Sequence, residues 1–138
     1  MVVISIEAYQ QMRQRPRAKS GWRIINGHEY YFRSAWEANY AKYLDFLVST
    51  DSIQWWEYEP ETFWFEKIKR GTRSYLPDFK IYNADGSHHW VEVKGYMDPK
   101  SKTKIKRFRK YYPQQKLIVV DKDWFKENKK HAQLLGWE

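Results

Sequence analysis

Two acidic residues and a lysine stand close together in residues 76–94. Asp78 and Glu92 lie in two β-rich runs that an Asp-Gly turn separates, a pattern typical of an antiparallel hairpin. Since side chains alternate along a strand, Glu92 and Lys94 share one face of the second run, about 7 Å apart. If Asp78 points to the same side, two carboxylates and an ammonium group converge on one point.

Such a point would hold Mg²⁺, because carboxylate oxygens are its usual protein ligands. A Mg²⁺ ion in this position can bind a phosphate oxygen and lower the pKa of an attacking water. Lys94 would orient or deprotonate that water. The alternative is a solvated strand face on which Asp78, Glu92 and Lys94 form ion pairs without function. Residue types alone do not separate the two interpretations.

The motif Pro77-Asp78, followed after a gap by Glu92-Val93-Lys94, resembles the PD-(D/E)xK nuclease superfamily, whose members cleave DNA with Mg²⁺. The resemblance implies that Asp78 and Glu92 bind Mg²⁺ or Mn²⁺ and that the Val93 carbonyl adds a ligand. Lys94 would then position the water. The resemblance also implies a restriction-endonuclease-like α/β fold. Its core is a helix, a three-strand antiparallel meander, a second helix and a parallel strand.

The clearest helical pattern covers residues 34–47 and would supply the first core helix. Its apolar residues form one stripe, made of Trp36, Tyr40, Tyr43, Leu44 and Leu47. Ser34 and Glu37 form a capping box, in which Glu37 reaches back to the Ser34 amide. In the phage-type four-way-junction endonucleases and the nuclease subunit of heteromeric transposases, an acidic residue of this helix joins the metal site, and Glu37 matches that position. The cap and the metal role both stay open.

Strands are predicted on both sides of this helix. Residues 22–25 and 28–32 flank an Asn-Gly pair, which favours a hairpin. Residues 53–58 and 62–68 are rich in aromatic and β-branched side chains, and residues 75–82 form the strand that carries Asp78. Together with the strand of Glu92, these runs complete the predicted meander.

A basic helix is predicted after the motif, from Asp98 and Pro99 to the residue before Pro113. The apolar residues 116–120 predict a buried parallel strand. Asp123 is predicted to cap a last helix. Every charged residue between positions 100 and 110 of the basic helix is positive; these residues are Lys100, Lys102, Lys104, Lys106, Arg107, Arg109 and Lys110. An N-terminal arm adds Arg13, Arg15, Arg17 and Lys19. We expect both segments to contact DNA phosphates, and a solvated basic face is the alternative.

The composition limits the class of protein. The chain has 138 residues, a net charge of +8 and no cysteine, which excludes disulfides and thiol catalysis and favours an anionic partner. Its length predicts one nuclease domain, with the arm over residues 1–20, a hairpin over 21–33, the catalytic core over 34–121 and a C-terminal helix over 122–138. Without an apolar run of membrane-spanning length, a cytoplasmic location and no membrane partner are expected.

These features predict a metal-dependent DNA endonuclease of the phage junction type. Nothing in the chain resembles a base-reading helix, so branched DNA should be preferred to linear duplex. The resemblance also implies a homodimer, since the junction endonucleases act as dimers. The rival function is a non-catalytic nucleic-acid-binding module that uses the basic helix and arm. In both cases tryptophans could stack on unpaired bases or belong to the core; the candidates are Trp22, Trp55, Trp56 and Trp64.

Overall fold

The computed structural model describes residues 20–138 and has an α/β fold. The predicted arm with Arg13, Arg15, Arg17 and Lys19 lies outside the described residues. The strands of the described part are β1 Gly21–Ile25, β2 His28–Phe32, β3 Ile53–Tyr58, β4 Phe63–Trp64, β5 Ser74–Tyr75, β6 Phe79–Asn83, β7 His88–Val93 and β8 Leu117–Val120. Its helices are α1 Ala35–Ser49, α2 Pro99–Tyr111, α3 Lys122–Glu127 and α4 Lys130–Leu134.

The main sheet has four strands in the order β3-β6-β7-β8. The first three strands pair antiparallel, and β8 pairs parallel to β7 after the connection through α2. A parallel pair needs a long connection, and the capped helix α2 supplies it. The Asn-Gly hairpin prediction is confirmed, because β1 and β2 pair around Asn26 and Gly27, with φ of 49° and 80°.

Three predicted elements are wrong in their extent. Of residues 62–68 only β4 is a strand, and it pairs with β5 in a separate two-stranded sheet. The predicted strand over residues 75–82 is interrupted before Phe79, since Pro77 has no amide hydrogen to donate to a neighbouring strand. The C-terminal helix is two short helices, and the first is capped by Asp121 rather than Asp123, with the Trp124 amide donating to Asp121 Oδ1 at 3.1 Å.

The sheet separates two apolar cores. On one side α1 and α3 pack on the sheet, around Phe32, Leu44, Phe79 and Val91. On the other side α2 and the β4–β5 pair enclose a second core, which includes Phe63, Phe65, Trp90, Ile105 and Phe108. Neighbouring residues of β7 therefore face opposite layers, and Glu92 shares the face of Trp90. No helix among residues 20–138 is long and apolar enough to cross a membrane.

Candidate functional site

A cleft of about 420 Å³ opens at the end of β7, between the first turns of α1 and α2. All five residues predicted for the metal site or for water activation line it: Glu37, Asp78, Glu92, Val93 and Lys94. Lys104 of the predicted basic helix lines it as well. The first turn of each helix meets the end of the sheet here, so residues from distant parts of the sequence become neighbours.

Asp78 lies immediately before β6 and is 8% exposed. Its Oδ2 accepts a hydrogen bond from the Val93 amide at 2.7 Å, and its backbone carbonyl accepts one from the Glu59 amide at 2.7 Å. Burial raises the pKa of Asp78 well above its ordinary value, and the neighbouring charges of Glu92 and Glu37 raise it further. The protein therefore holds this carboxylate where its charge is unfavourable unless a cation is near.

Glu92 is held by a tyrosine hydroxyl. Tyr75 donates to Glu92 Oε2 at 2.7 Å, and both side chains are buried. Burial raises the pKa of Glu92 to about 7, while the hydrogen bond and the positive charge of Lys94 act in the opposite direction. Because Tyr75 belongs to β5, the small β4–β5 pair orients a carboxylate of the main sheet.

Glu37 makes the cap contact and also faces the cleft. The Glu37 amide donates to Ser34 Oγ at 3.1 Å, and Ser34 Oγ donates to Glu37 Oε2 at 2.9 Å. The predicted capping bond from the Ser34 amide is thus replaced by one from its hydroxyl. Tyr58 donates to the second oxygen, Oε1, at 2.8 Å, and burial raises the pKa of Glu37. The capping contact therefore leaves the carboxylate beside Asp78.

Glu59 belongs to this group although the sequence did not mark it. Carboxylate oxygens of Glu37, Glu59 and Asp78 lie within 4.8 Å of one another. Glu59 has φ of 46°, a left-handed conformation that is uncommon for a residue with a side chain, and Arg33 pairs with it, Nε to Oε1, at 2.8 Å. Nothing in its spacing to Asp78 distinguishes Glu59 from other acidic residues. Only the end of β3 brings it into the cleft.

Lys94 is half-buried in the cleft and forms no ion pair with the residues from 20 to 138. The ammonium group is therefore available to an anion or a water in the cleft. A Cβ atom on the following residue, Gly95, would lie 3.0 Å from the Trp36 ring, so a larger residue there would require the ring to shift.

The donor set of the cleft fits a hard divalent cation. Glu37, Glu59 and Asp78 bring carboxylate oxygens together, which suits Mg²⁺ or Mn²⁺ and would relieve the repulsion between buried negative charges. Glu92 lines the same cleft, with one oxygen bonded to Tyr75. The Val93 carbonyl stays a predicted ligand. Phosphate groups would meet the basic side chains of the same cleft, which are Arg33, Lys94 and Lys104.

The remaining basic residues of α2 do not share one surface. Arg107 Nη1 donates to the Thr72 carbonyl, and Arg109 Nη2 donates to the Leu117 carbonyl at 3.4 Å. Lys102 and Lys106 line an apolar groove beside Val119. Those exposed to solvent are Lys100, Lys102, Lys106, Arg109 and Lys110. The helix therefore presents its charges in several directions.

The tryptophans differ in accessibility. Trp56 is 2% exposed and packs in the core, so it cannot stack on a base. Trp22, Trp55 and Trp64 are exposed. None of these three exposed tryptophans lines the cleft.

The fold and the cleft define an α/β protein in which buried carboxylates and basic side chains share one site. The chain belongs to DUF1064, a family of proteins of unknown function, whose profile matches residues 17–129. No curated protein and no solved structure matches the chain.

Proposed function

We propose that this protein is a Mg²⁺- or Mn²⁺-dependent DNA endonuclease of the PD-(D/E)xK type. One observation carries the proposal: Asp78, Glu92 and Lys94 line a single cleft in which both carboxylates are buried. A solvated strand face would leave these charges exposed and their pKa values near the ordinary range. Burying like charges without a bound cation is unfavourable, so a binding function explains the arrangement better than surface ion pairs do.

The order of elements supports a restriction-endonuclease-like core. Helix α1 is followed by the antiparallel strands β3, β6 and β7, then by α2 and the parallel strand β8. The β4–β5 pair is then an insertion in the meander, and the β1–β2 hairpin precedes the core. In this interpretation the PD and ExK parts of the motif lie at the ends of adjacent strands, which suits a shared metal.

Asp78, Glu92, Glu37 and the Val93 carbonyl would hold the metal, and Glu59, whose carboxylate lies beside those of Glu37 and Asp78, would be a further ligand. A bound Mg²⁺ would supply the Lewis acidity that activates water and offsets phosphate charge. Lys94 would orient the attacking water through its ammonium group, and the proton of that water would pass to solvent. The hydroxyls of Tyr58 and Tyr75 hold Glu37 and Glu92 in fixed orientations, as outer partners of metal ligands do.

The phosphate would be bound by the basic side chains of the cleft. Lys104 and Lys94 line it, and Arg33 lies beside Glu59 at its edge. These groups recognise a phosphate but no base, so the proposed selectivity is for DNA shape, including branched and junction DNA. A homodimer, as in phage-type junction endonucleases, would place two such clefts on one branched substrate.

The test is Mg²⁺-dependent cleavage of four-way, flap and linear DNA by the wild type and Glu92→Gln. Glutamine keeps an oxygen for Tyr75 but removes the charge, so the fold should be retained. If Glu92 binds the metal directly, cleavage by Glu92→Gln should fall by more than the roughly 10–100-fold that is typical when an outer partner of a metal ligand is removed. Glu127→Gln is the matched control, since Glu127 is exposed and outside the cleft.

Binding measured in EDTA separates catalysis from DNA affinity. Full cleavage by Glu92→Gln would contradict the proposed site. A wild type that binds DNA but neither cleaves it nor binds Mn²⁺ would identify a nucleic-acid-binding module instead. Cleavage restricted to one linear base sequence would contradict the preference for branched DNA.

A further inference from the structure

A second basic surface lies outside the cleft, on the segment between β4 and β5. Its four basic side chains are exposed: Lys67, Lys69, Arg70 and Arg73. Within residues 20–138 none of them forms an ion pair. Only Glu66 in this segment is acidic. We call these four residues the loop surface.

The loop surface is fixed against α2 by contacts at its base. Arg107 Nη1 donates to the Thr72 carbonyl, and the ring of Phe65 lies 5.5 Å from that of Tyr111. Phe65 is 1% exposed, so the start of the segment is part of the core. Tyr112 adds a hydrogen bond from its hydroxyl to the Trp64 carbonyl at 2.6 Å. The basic side chains therefore stand on a supported segment next to the C-terminal half of α2.

Charges of one sign repel, so this concentration of charge does not serve the stability of the fold. The exposed Lys106 and Lys110 of α2 lie on the side where that helix contacts the segment, together with Ile68, and add to the positive potential. Arrays of exposed Lys and Arg without protein partners are typical of surfaces that contact nucleic-acid phosphates. We propose that the loop surface binds the phosphate backbone of DNA outside the cleft.

The position of this surface indicates which part of the DNA it contacts. Lys104 lines the cleft, and Lys110 follows six residues later on α2, about 9 Å further along the helix axis. Phosphates of one strand succeed each other at about 3.4 Å along a duplex. A duplex that runs along α2 would therefore meet the loop surface about three base pairs from the phosphate in the cleft. The choice of DNA as ligand rests on the proposed function.

The experiment compares two triple variants of the full chain that lose the same charge. The first is Lys69→Gln/Arg70→Gln/Arg73→Gln, and the control is Lys126→Gln/Lys129→Gln/Lys130→Gln. The control residues are exposed and belong to the α3–α4 region, which packs on the opposite side of the sheet through Trp124 and Phe125. Binding of a four-way junction and of a linear duplex is measured in EDTA at several salt concentrations.

For the loop variant we expect weaker binding to every DNA sequence and a salt slope reduced by about 2 to 3, since each lost phosphate contact removes about 0.9. The control variant should keep the wild-type slope. Equal slopes for the two variants would overturn the proposal, whatever the cleavage activity. Reduced binding of the loop variant to anionic phosphatidylserine vesicles, with unchanged DNA binding, would also overturn it.

The proposal and the nuclease function fail separately. If the wild type binds DNA without cleaving it and the loop variant binds more weakly, the loop surface is supported and the nuclease function is rejected. If the wild type cleaves and the loop variant binds as tightly as the control, the loop surface is rejected and the nuclease function remains.

Discussion

The carboxylates of the cleft and the basic side chains of the loop surface carry opposite charges and are placed in opposite ways. In the cleft, Asp78 and Glu92 are buried and each accepts a hydrogen bond from a residue distant in the sequence. On the loop surface, Lys69 and Arg70 are exposed, and neither has a side-chain partner among residues 20–138. Buried carboxylates are stable as charged groups only when hydrogen bonds and a cation are close to them. Exposed basic side chains are solvated, and they can bind an anion without such support.

The difference implies that the two regions respond to different conditions. Burial has shifted the pKa values of the cleft carboxylates upward, so pH should act on the cleft. Exposed charges are screened by salt, so ionic strength should act on the loop surface. Three predictions about the cleft test this contrast, and they follow in order of the expected effect, from the largest to the smallest.

The largest effect is expected for Asp78, where charge and hydrogen bonding can be separated. Asp78→Asn keeps an oxygen for the Val93 amide and removes the charge, so Mg²⁺-dependent cleavage should fall more than about 100-fold while the melting temperature holds or rises. Asp78→Ala also removes the acceptor of a buried amide and should cost about 1–3 kcal/mol of unfolding free energy. Cleavage assays and thermal unfolding measure the two effects.

Asp123→Asn is the control, because Asp123 is exposed and lies outside the cleft. It should leave both cleavage and melting temperature unchanged. If Asp78→Asn cleaves DNA at the wild-type rate, the acidic cleft has no role in catalysis and the contrast with the loop surface loses its functional meaning.

A smaller effect is expected for Tyr75, which contacts Glu92 through its hydroxyl. Tyr75→Phe should reduce cleavage by about 10–100-fold, because outer partners orient metal ligands. DNA binding in EDTA should be unchanged. Tyr112→Phe is matched to it, since Tyr112 loses a hydroxyl bond to the Trp64 carbonyl and neither residue lines the cleft. Equal activities of the two phenylalanine variants would show that Tyr75 is only structural.

The smallest effect concerns the stability of the metal-free protein as a function of pH. The pKa of Glu92 is raised to about 7 by burial, above its unfolded value of about 4.3. Between pH values of about 4.3 and about 7, Glu92 is protonated in the folded state and ionised in the unfolded chain. The folded state therefore gains stability as the pH falls through about 7, and the buried Glu92 charge destabilises it at higher pH. Relative to Glu92→Gln, the wild type should gain of order 1 kcal/mol between pH 8 and pH 5.

Urea unfolding in EDTA at several pH values measures this difference. A difference between wild type and Glu92→Gln that does not vary with pH would mean that Glu92 titrates normally. Salt should change the difference little, because a buried carboxylate is screened less than an exposed one. Added Mg²⁺ should stabilise the wild type at pH 8 more than it stabilises the glutamine variant.

Local patterns in the sequence determined much of the fold. The Asn-Gly pair predicted the first hairpin, Ser34 the start of α1, and Asp98 with Pro99 the start of α2; all three are confirmed. These signals act between residues two to four positions apart, where backbone geometry and capping bonds suffice. Asp78 and Glu92 are further apart in the sequence, but the Asp-Gly turn predicted that their strands pair, and β6 and β7 do pair.

Tertiary structure alone decided the rest. Tyr75 meets Glu92 across 17 residues and Tyr58 meets Glu37 across 21, and neither contact has a local pattern. Residues 62–68 have the composition of a strand, but most of them form the segment that packs beside α2 instead of joining the main sheet. Glu59 enters the cleft only because the end of β3 lies beside Asp78. Such contacts depend on how whole layers pack, and strand or helix periodicity carries no information about that packing.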